Sequence, residues 1–429
     1  MNSSDYSRLE EKSWLAPTAV EPISGTIQLP GSKSLTNREL VLSALASTPS
    51  TLIAPLDSRD SQLMIQALRN LGTQITRDER GNLSIVPAAT DTKVQAMIDC
   101  GLAGTVMRFV PPVAATFSGE ISFDGDEAAR KRPMQTTIDS LRKLGVNVIG
   151  EGLPFTIQAL GKVEGGELEI DASASSQFVS GLLLAAPRFS KGLKLKHSGK
   201  DLPSEPHIEM TLACLRARRV KAYATSPTSW VVEPGAISGA EVIIEPDLSN
   251  AGPFLAAALV TKGKVVIKNW PLETTQVGKN LIGILQQMGA KIGFADGDLT
   301  CLGGDSIRGI DIDMHDSGEL APTIVALAAL AESESTITGI SHLRGHETDR
   351  INALVTEINN LGGKATELAD GIKITPTVMH GGSWDSYGDH RMATAAAIIG
   401  LKVPDITVND INVVSKTMPE FVSLWGQLL

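Results

Sequence analysis

The chain has 429 residues, 42% of them hydrophobic and 20% charged, which is more than one core usually supports, so two domains are expected. A formal net charge of −10 argues against nucleic-acid binding, and three cysteines without CxxC spacing argue against a disulfide framework or a zinc site. The opening MNSSDYSRLEEKSW has no apolar targeting region and no later apolar run reaches bilayer length, so a cytoplasmic protein with no membrane partner is expected.

From the N-terminus, two β-type segments, TAVEPI (18–23) and GTIQLPG (25–31), come first. GSKSLTNR (31–38) then opens a helix with Lys33, Ser34 and Arg38 at its start, where free backbone amides favour an anion. An ordinary serine cap with surface cations is the alternative. A β-type run, STLIAPL (50–56), leads to an amphipathic helix ending at Leu71-Gly72. The same ending returns at Leu144-Gly145, Met288-Gly289 and Leu361-Gly362, with Arg218-Arg219 in the remaining place, at intervals of 70 to 74 residues. Six units are implied, each reading βαβαββ.

The second unit repeats the helix start as LAGTVMR (102–108), in which Gly104 lets a ligand approach the backbone and Arg108 lies in the first turns; a packing glycine is the competing explanation. ARKRP (129–133) adds Arg130, Lys131 and Arg132, of which one is expected to be functional and the others solvated. In the third unit SSQF (175–178) precedes a helix apolar on every side, FVSGLLLAA, so Ser175, Ser176 and Gln177 offer polar groups at a buried helix start. FLAAALV, IVALAALA and MATAAAIIG repeat that all-apolar helix in units four to six, and these helices are expected at domain centres. GELAPT (318–323), RGHETDR (344–350), GDHR (388–391) and SKT (415–417) bring titratable groups to them. The last unit is short, and the N-terminal segments are expected to complete it. Residues 30–246 then make one domain and 1–29 with 247–429 the other, the active site lying in the cleft between them. Cations at equivalent positions of an acidic chain point to convergence on anionic ligands.

Through LPGSKSLTNR, AGTVMR, RP, SSQF, ETDR, GDHRM and SKT, in that order over nearly its whole length, the chain resembles the 3-phosphoshikimate 1-carboxyvinyltransferases, the EPSP synthase family. The resemblance implies the enolpyruvyl transferase fold, a two-domain inside-out α/β barrel of six βαβαββ units. It implies transfer of the enolpyruvyl group of phosphoenolpyruvate to 3-phosphoshikimate, in the chorismate branch of aromatic biosynthesis, with neither metal nor organic cofactor. The partners implied are these two small molecules; a monomer that closes around them is expected.

By matching motif positions, Lys33, Ser34, Arg38, Ser175, Ser176, Gln177, Ser204, Glu319 and His346 are expected to meet 3-phosphoshikimate. Lys33, Gly104, Arg132, Gln177, Arg350, Arg391 and Lys416 are expected to meet phosphoenolpyruvate. Glu319 matches the family's proton acceptor, commonly Asp, and Glu347 with Lys33 is expected to move the methyl proton. His346 stands where many members have Lys and His207 where a Tyr is frequent, while Leu102 and Phe109 replace a common Asn and Pro beside the phosphoenolpyruvate and glyphosate site. The alternatives are a UDP-N-acetylglucosamine enolpyruvyl transferase, distinguished by a reactive loop Cys for which Cys100 lacks the setting, and a non-catalytic anion binder. An RNA 3′-phosphate cyclase shares a related repeat but needs a basic surface that this composition does not supply.

Overall fold

The computed structural model describes residues 13–89, 92–200 and 202–429. The chain divides into two compact units, one of Pro30–Glu245 and one in which residues up to Leu29 join Pro246–Leu429. Each has its own apolar core.

In the first unit the core is built on helices Lys33–Ala44, Gly104–Ala114 and Gln177–Ala185. Every residue of Gly104–Ala114 is buried, as the absence of a polar stripe in GTVMRFVPPVA requires. Gly181 lets the third helix approach the second: a Cβ there would lie 2.2 Å from the Arg108 carbonyl oxygen. Amphipathic helices Arg59–Asn70, Gln135–Lys143 and Pro206–Ala217 alternate with them along the chain and bury one stripe each.

Three four-stranded sheets complete this unit, all on one plan. Lys93–Asp99 runs parallel to Ser118–Asp124, which pairs antiparallel with Phe155–Leu160, which pairs with Asn147–Ile149. Gly166–Ile170, Leu193–His197, Ser229–Val232 and Ala222–Ser226 repeat the order. In the remaining sheet the leading parallel strand is Glu241–Ile243, the last of the unit, beside Ser50–Ile53. The unit is thus closed by its own exit strand.

The second unit carries helices Gly252–Thr261, Ala321–Ala329 and His390–Gly400 in its core. Ser24–Ile27 leads the sheet containing Lys264–Ile267, and the last unit's sheet, Gly382–Asp385 and Ile406–Asn409, is completed by Trp14–Leu15. The N-terminus therefore serves two sheets. GTIQLPG belongs to the fourth unit, not the sixth, and TAVEPI makes no strand, because residues 17–23 turn through two prolines between the two sheets. Among the described residues no sheet closes into a barrel: each is an open sheet of three or four strands. No helix described is long and apolar enough to cross a membrane.

Five amphipathic helices end in a left-handed residue, Gly72, Gly145, Gly289 and Gly362 with φ of 80° to 117°, and Arg219 with φ of 64°. Only Arg219 carries a Cβ there, and it is exposed. Arg219→Gly is expected to raise the unfolding free energy by about 0.5–1 kcal/mol, after the added freedom of the unfolded glycine is set against the relieved strain. Urea unfolding checks this; Arg219→Ala should give no comparable gain.

Candidate active site

In the first unit the N-terminal ends of the three core helices present the groups expected from the sequence. Ser32 caps the first through its side chain, which accepts from the Leu35 amide. Lys33 follows, its Nζ 3.8 Å from the buried Asp60 carboxylate. The second begins at Gly104, whose missing side chain leaves a hollow: a Cβ would meet Gln177 Oε1 at 2.9 Å, an Arg108 Nη at 3.1 Å and an Arg132 Nη at 3.2 Å. Gln177 Oε1 and Arg132 Nε are buried without a hydrogen-bond partner among the described residues. Two guanidinium groups thus converge on an open helix start and would hold an oxyanion, while the Gln177 amide oxygen beside them would accept from a ligand hydroxyl. Gln177 reaches it because Ser175 Oγ accepts from the Gln177 amide and fixes that turn.

Of the basic triplet, Arg130 pairs with Asp124 and Lys131 with Glu127, both exposed, while Arg132 turns inward and donates to the Leu102 carbonyl. Arg38 is also interior, 2% exposed. Its guanidinium donates to Thr211 Oγ1 and to the carbonyl oxygens of Ser34 and His207, and lies over the Phe109 ring. In this arrangement Arg38 ties the Ser34 turn to the His207 helix. Ser204 precedes that helix in the left-handed region, φ 57°, and Ser176 is buried at the start of the third core helix.

In the second unit a chain of ion pairs links three expected residues to Asp389. Lys416 Nζ contacts Glu347 Oε1, Arg350 Nη2 lies 3.1 Å from Glu347 Oε2, and Arg350 Nε lies 2.7 Å from Asp389 Oδ2. Burial alone would lower the Arg350 guanidinium, but the Asp389 and Glu347 carboxylates outweigh it and hold Arg350 above its ordinary value. Arg350 Nη1 also donates to His346 Nδ1 at 3.4 Å. Asp389 caps the last core helix, accepting from the Arg391 amide at 2.8 Å, and Arg391 in turn donates to the Ser249 carbonyl and hydroxyl, both at 2.8 Å. Glu319 lies in the short helical turn His315–Leu320 leading into Ala321–Ala329, half-buried and close enough to Arg350 to act on it electrostatically.

Sequence reading did not find Ser249, Asp389 as a bridging acid, or the histidines around Glu319. Ser249 was findable: DLSNAGP stands before the fourth core helix, where the other units carry their ligand-facing groups. The histidines were not, because His315 and His342 come from different turns. The His342 ring lies 6.3 Å from that of His315 and 5.9 Å from that of His346, and its Nε2 would lie 2.5 Å from a Cβ on Gly318.

A family model described as EPSP synthase (3-phosphoshikimate 1-carboxyvinyltransferase) matches residues 17–425. A protein of Kocuria rhizophila named 3-phosphoshikimate 1-carboxyvinyltransferase is 51% identical, over 100% of this chain and 99% of that one. One of the same name from Mycobacterium ulcerans is 50% identical over 97% of each. Among solved structures, EPSP synthase from Acinetobacter baumannii superimposes with a TM-score of 0.81 at 23% identity over 98% of both chains. The enolpyruvyl transferase NikO from Streptomyces tendae gives 0.76 at 14% identity over 98% of both, a likeness of fold.

Burial first, and then the His315 ring, push the His342 imidazole down to about 4, against Asp370, which acts to raise it. His342 is therefore neutral when folded and protonates more readily when unfolded, at its ordinary value near 6.5. Its contribution to stability is complete above pH 6.5 and is lost as the pH falls towards 4. Urea unfolding at pH 7, 6, 5 and 4.5 should show a shallower pH dependence for His342→Gln than for the parent chain; equal slopes would refute the assignment.

Proposed function

The chain belongs to the EPSP synthase family, and we propose that the groups assembled in its two units act together on one pair of anions in that family's reaction. The reaction transfers the enolpyruvyl group of phosphoenolpyruvate to the 5-hydroxyl of 3-phosphoshikimate, giving 5-enolpyruvylshikimate 3-phosphate and phosphate through a tetrahedral intermediate. The observation that carries the assignment of residues is the Gly104 hollow, where Arg108, Arg132 and Gln177 converge on a helix start. It suits a phosphate or carboxylate and nothing apolar.

On this reading Lys33, Ser34, Ser175, Ser176, Gln177 and Ser204 hold 3-phosphoshikimate, and Arg38 fixes the backbone that presents Ser34 and His207. Arg132, with Gly104 and Gln177, meets phosphoenolpyruvate from the first unit; Arg350, Arg391 and Lys416 meet it from the second. Both units must therefore engage the same substrates. Closure around them by a monomer, with the site in the cleft between the domains, is part of the same proposal. Glu319 takes the proton of the 5-hydroxyl as it adds to C2 of phosphoenolpyruvate, and its half-buried position near Arg350 suits that task. The other proton goes to C3 in addition and leaves it in elimination. Glu347, between Lys416 and Arg350, serves C3 together with Lys33. His346 donates to a hydroxyl or phosphate of 3-phosphoshikimate.

Cysteine chemistry of the nucleotide-sugar kind has no support. Cys100 is fully buried, and burial first, then Asp99, push its thiol up to about 12.

Phosphate release from phosphoenolpyruvate is the test, with 3-phosphoshikimate or UDP-N-acetylglucosamine as acceptor. Release is expected only with 3-phosphoshikimate, and Glu319→Gln should lower kcat by about 10²–10⁴-fold, the usual range for a general base. Release with the nucleotide sugar, or with neither acceptor, would overturn the reading.

A further inference from the structure

The turn that delivers His390 and Arg391 is held against the helix Arg350–Asn360 at two points. One is the Arg350–Asp389 pair already described. The other is Glu357, 3% exposed and seven residues further along that helix. Seven residues are close to two full turns, so Arg350 and Glu357 project from the same face. Glu357 Oε1 accepts the Tyr387 hydroxyl at 2.6 Å, and Oε2 accepts the Asp385 amide at 3.2 Å. Asp385 ends the strand Gly382–Asp385, and its own carboxylate accepts the Tyr387 amide at 3.0 Å. The Asp389 amide then donates to the Ser386 carbonyl at 2.8 Å. The turn from strand end to helix cap is thus tied down at Asp385, Tyr387 and Asp389.

The backbone at the centre of this turn is strained. Tyr387 has φ of 53°, a conformation that an aromatic residue adopts only at a cost of roughly 1–3 kcal/mol. Gly388 follows with φ of 69°, where glycine meets no such penalty. If the turn served only to link strand and helix, glycine or asparagine at 387 would do it without strain. A tyrosine whose hydroxyl reaches a buried carboxylate locks the turn in one shape. Burial pushes the Glu357 carboxyl up, while the Tyr387 hydroxyl and Asp385 amide act to lower it.

We propose that Tyr387 and Glu357 are positioning residues for Arg391: together with Arg350–Asp389 they template the turn so that the Arg391 guanidinium is held in place for the anion it binds. The proposal deepens the functional reading and rests on it. Neither residue needs to touch substrate. A loosened turn keeps the charge of Arg391 but spreads it over several positions, so binding of phosphoenolpyruvate suffers more than binding of 3-phosphoshikimate.

The test measures steady-state phosphate release by the full chain, with Tyr387→Phe and Glu357→Gln as two independent variants and Ile374→Val, a core change in the same unit, as the stability control. Either clamp variant is expected to raise KM for phosphoenolpyruvate about fivefold or more while KM for 3-phosphoshikimate stays within twofold, and Ile374→Val should leave both unchanged. Tyr387→Gly should relieve the strain, raising or preserving thermal stability, yet raise KM for phosphoenolpyruvate as Tyr387→Phe does. Unchanged KM in both clamp variants, or equal shifts for both substrates, would overturn the positioning role while leaving the functional reading intact. A parent chain inactive with 3-phosphoshikimate would overturn the reading and the proposal together.

Discussion

The ion pair between Arg350 and Asp389 is the constraint on which the second unit's chemistry depends. Both side chains are almost wholly buried, so each is tolerable only because the other is there, and loss of one partner from such a pair costs about 3–5 kcal/mol. Asp389 also caps the last core helix and so fixes where Arg391 begins. Arg350 reaches Glu347 and, through it, Lys416. One buried acid therefore sets the positions of three cations at once, and the Tyr387–Glu357 clamp holds the backbone on which that acid sits.

The first unit solves a comparable problem differently. Arg218 is buried against Glu39 at 2.6 Å and donates to Ser43 and Ser50, locking the amphipathic helix Pro206–Ala217 to the first core helix far from the ligand-facing end. At that end Lys33 lies beside the buried Asp60 carboxylate, while Arg132 donates to the Leu102 carbonyl. Arg132 and Gln177 keep polar atoms unsatisfied around the Gly104 hollow, a cost that makes sense if a ligand satisfies them. In both units the helices occupy the core, and their N-terminal ends offer free backbone amides to a ligand.

Much of this was legible in the sequence because repetition amplifies weak signals. A single Gly after a helix means little; five equivalent positions about seventy residues apart define six units, and strands formed at the β-type runs GTIQLPG and STLIAPL, though not at TAVEPI. Many motif residues were legible for the same reason, as Lys33, Gly104, Gln177, Glu319 and Arg391 stand at or just before the start of a core helix. What was hidden depends on distance along the chain. Trp14–Leu15 pairs with Ile406–Asn409, and Arg391 with Ser249, and no local pattern announces such partners. Arg38 was readable as a cation at a helix start, but its internal engagement with Thr211 and the His207 carbonyl depends on how two helices distant in sequence meet. The strain at Tyr387 was equally invisible, because sequence shows a tyrosine before Gly388 and not its backbone angle.

The central claim is that cations from both units grip the same phosphoenolpyruvate. The most direct measurement is KM for phosphoenolpyruvate in Arg132→Lys, from the first unit, and Arg391→Lys, from the second. The account expects each to raise it by roughly tenfold or more, as loss of a charge-assisted hydrogen bond implies, with KM for 3-phosphoshikimate nearly unchanged. A parental value in either variant would show that one unit takes no part in holding that substrate, and would contradict the account.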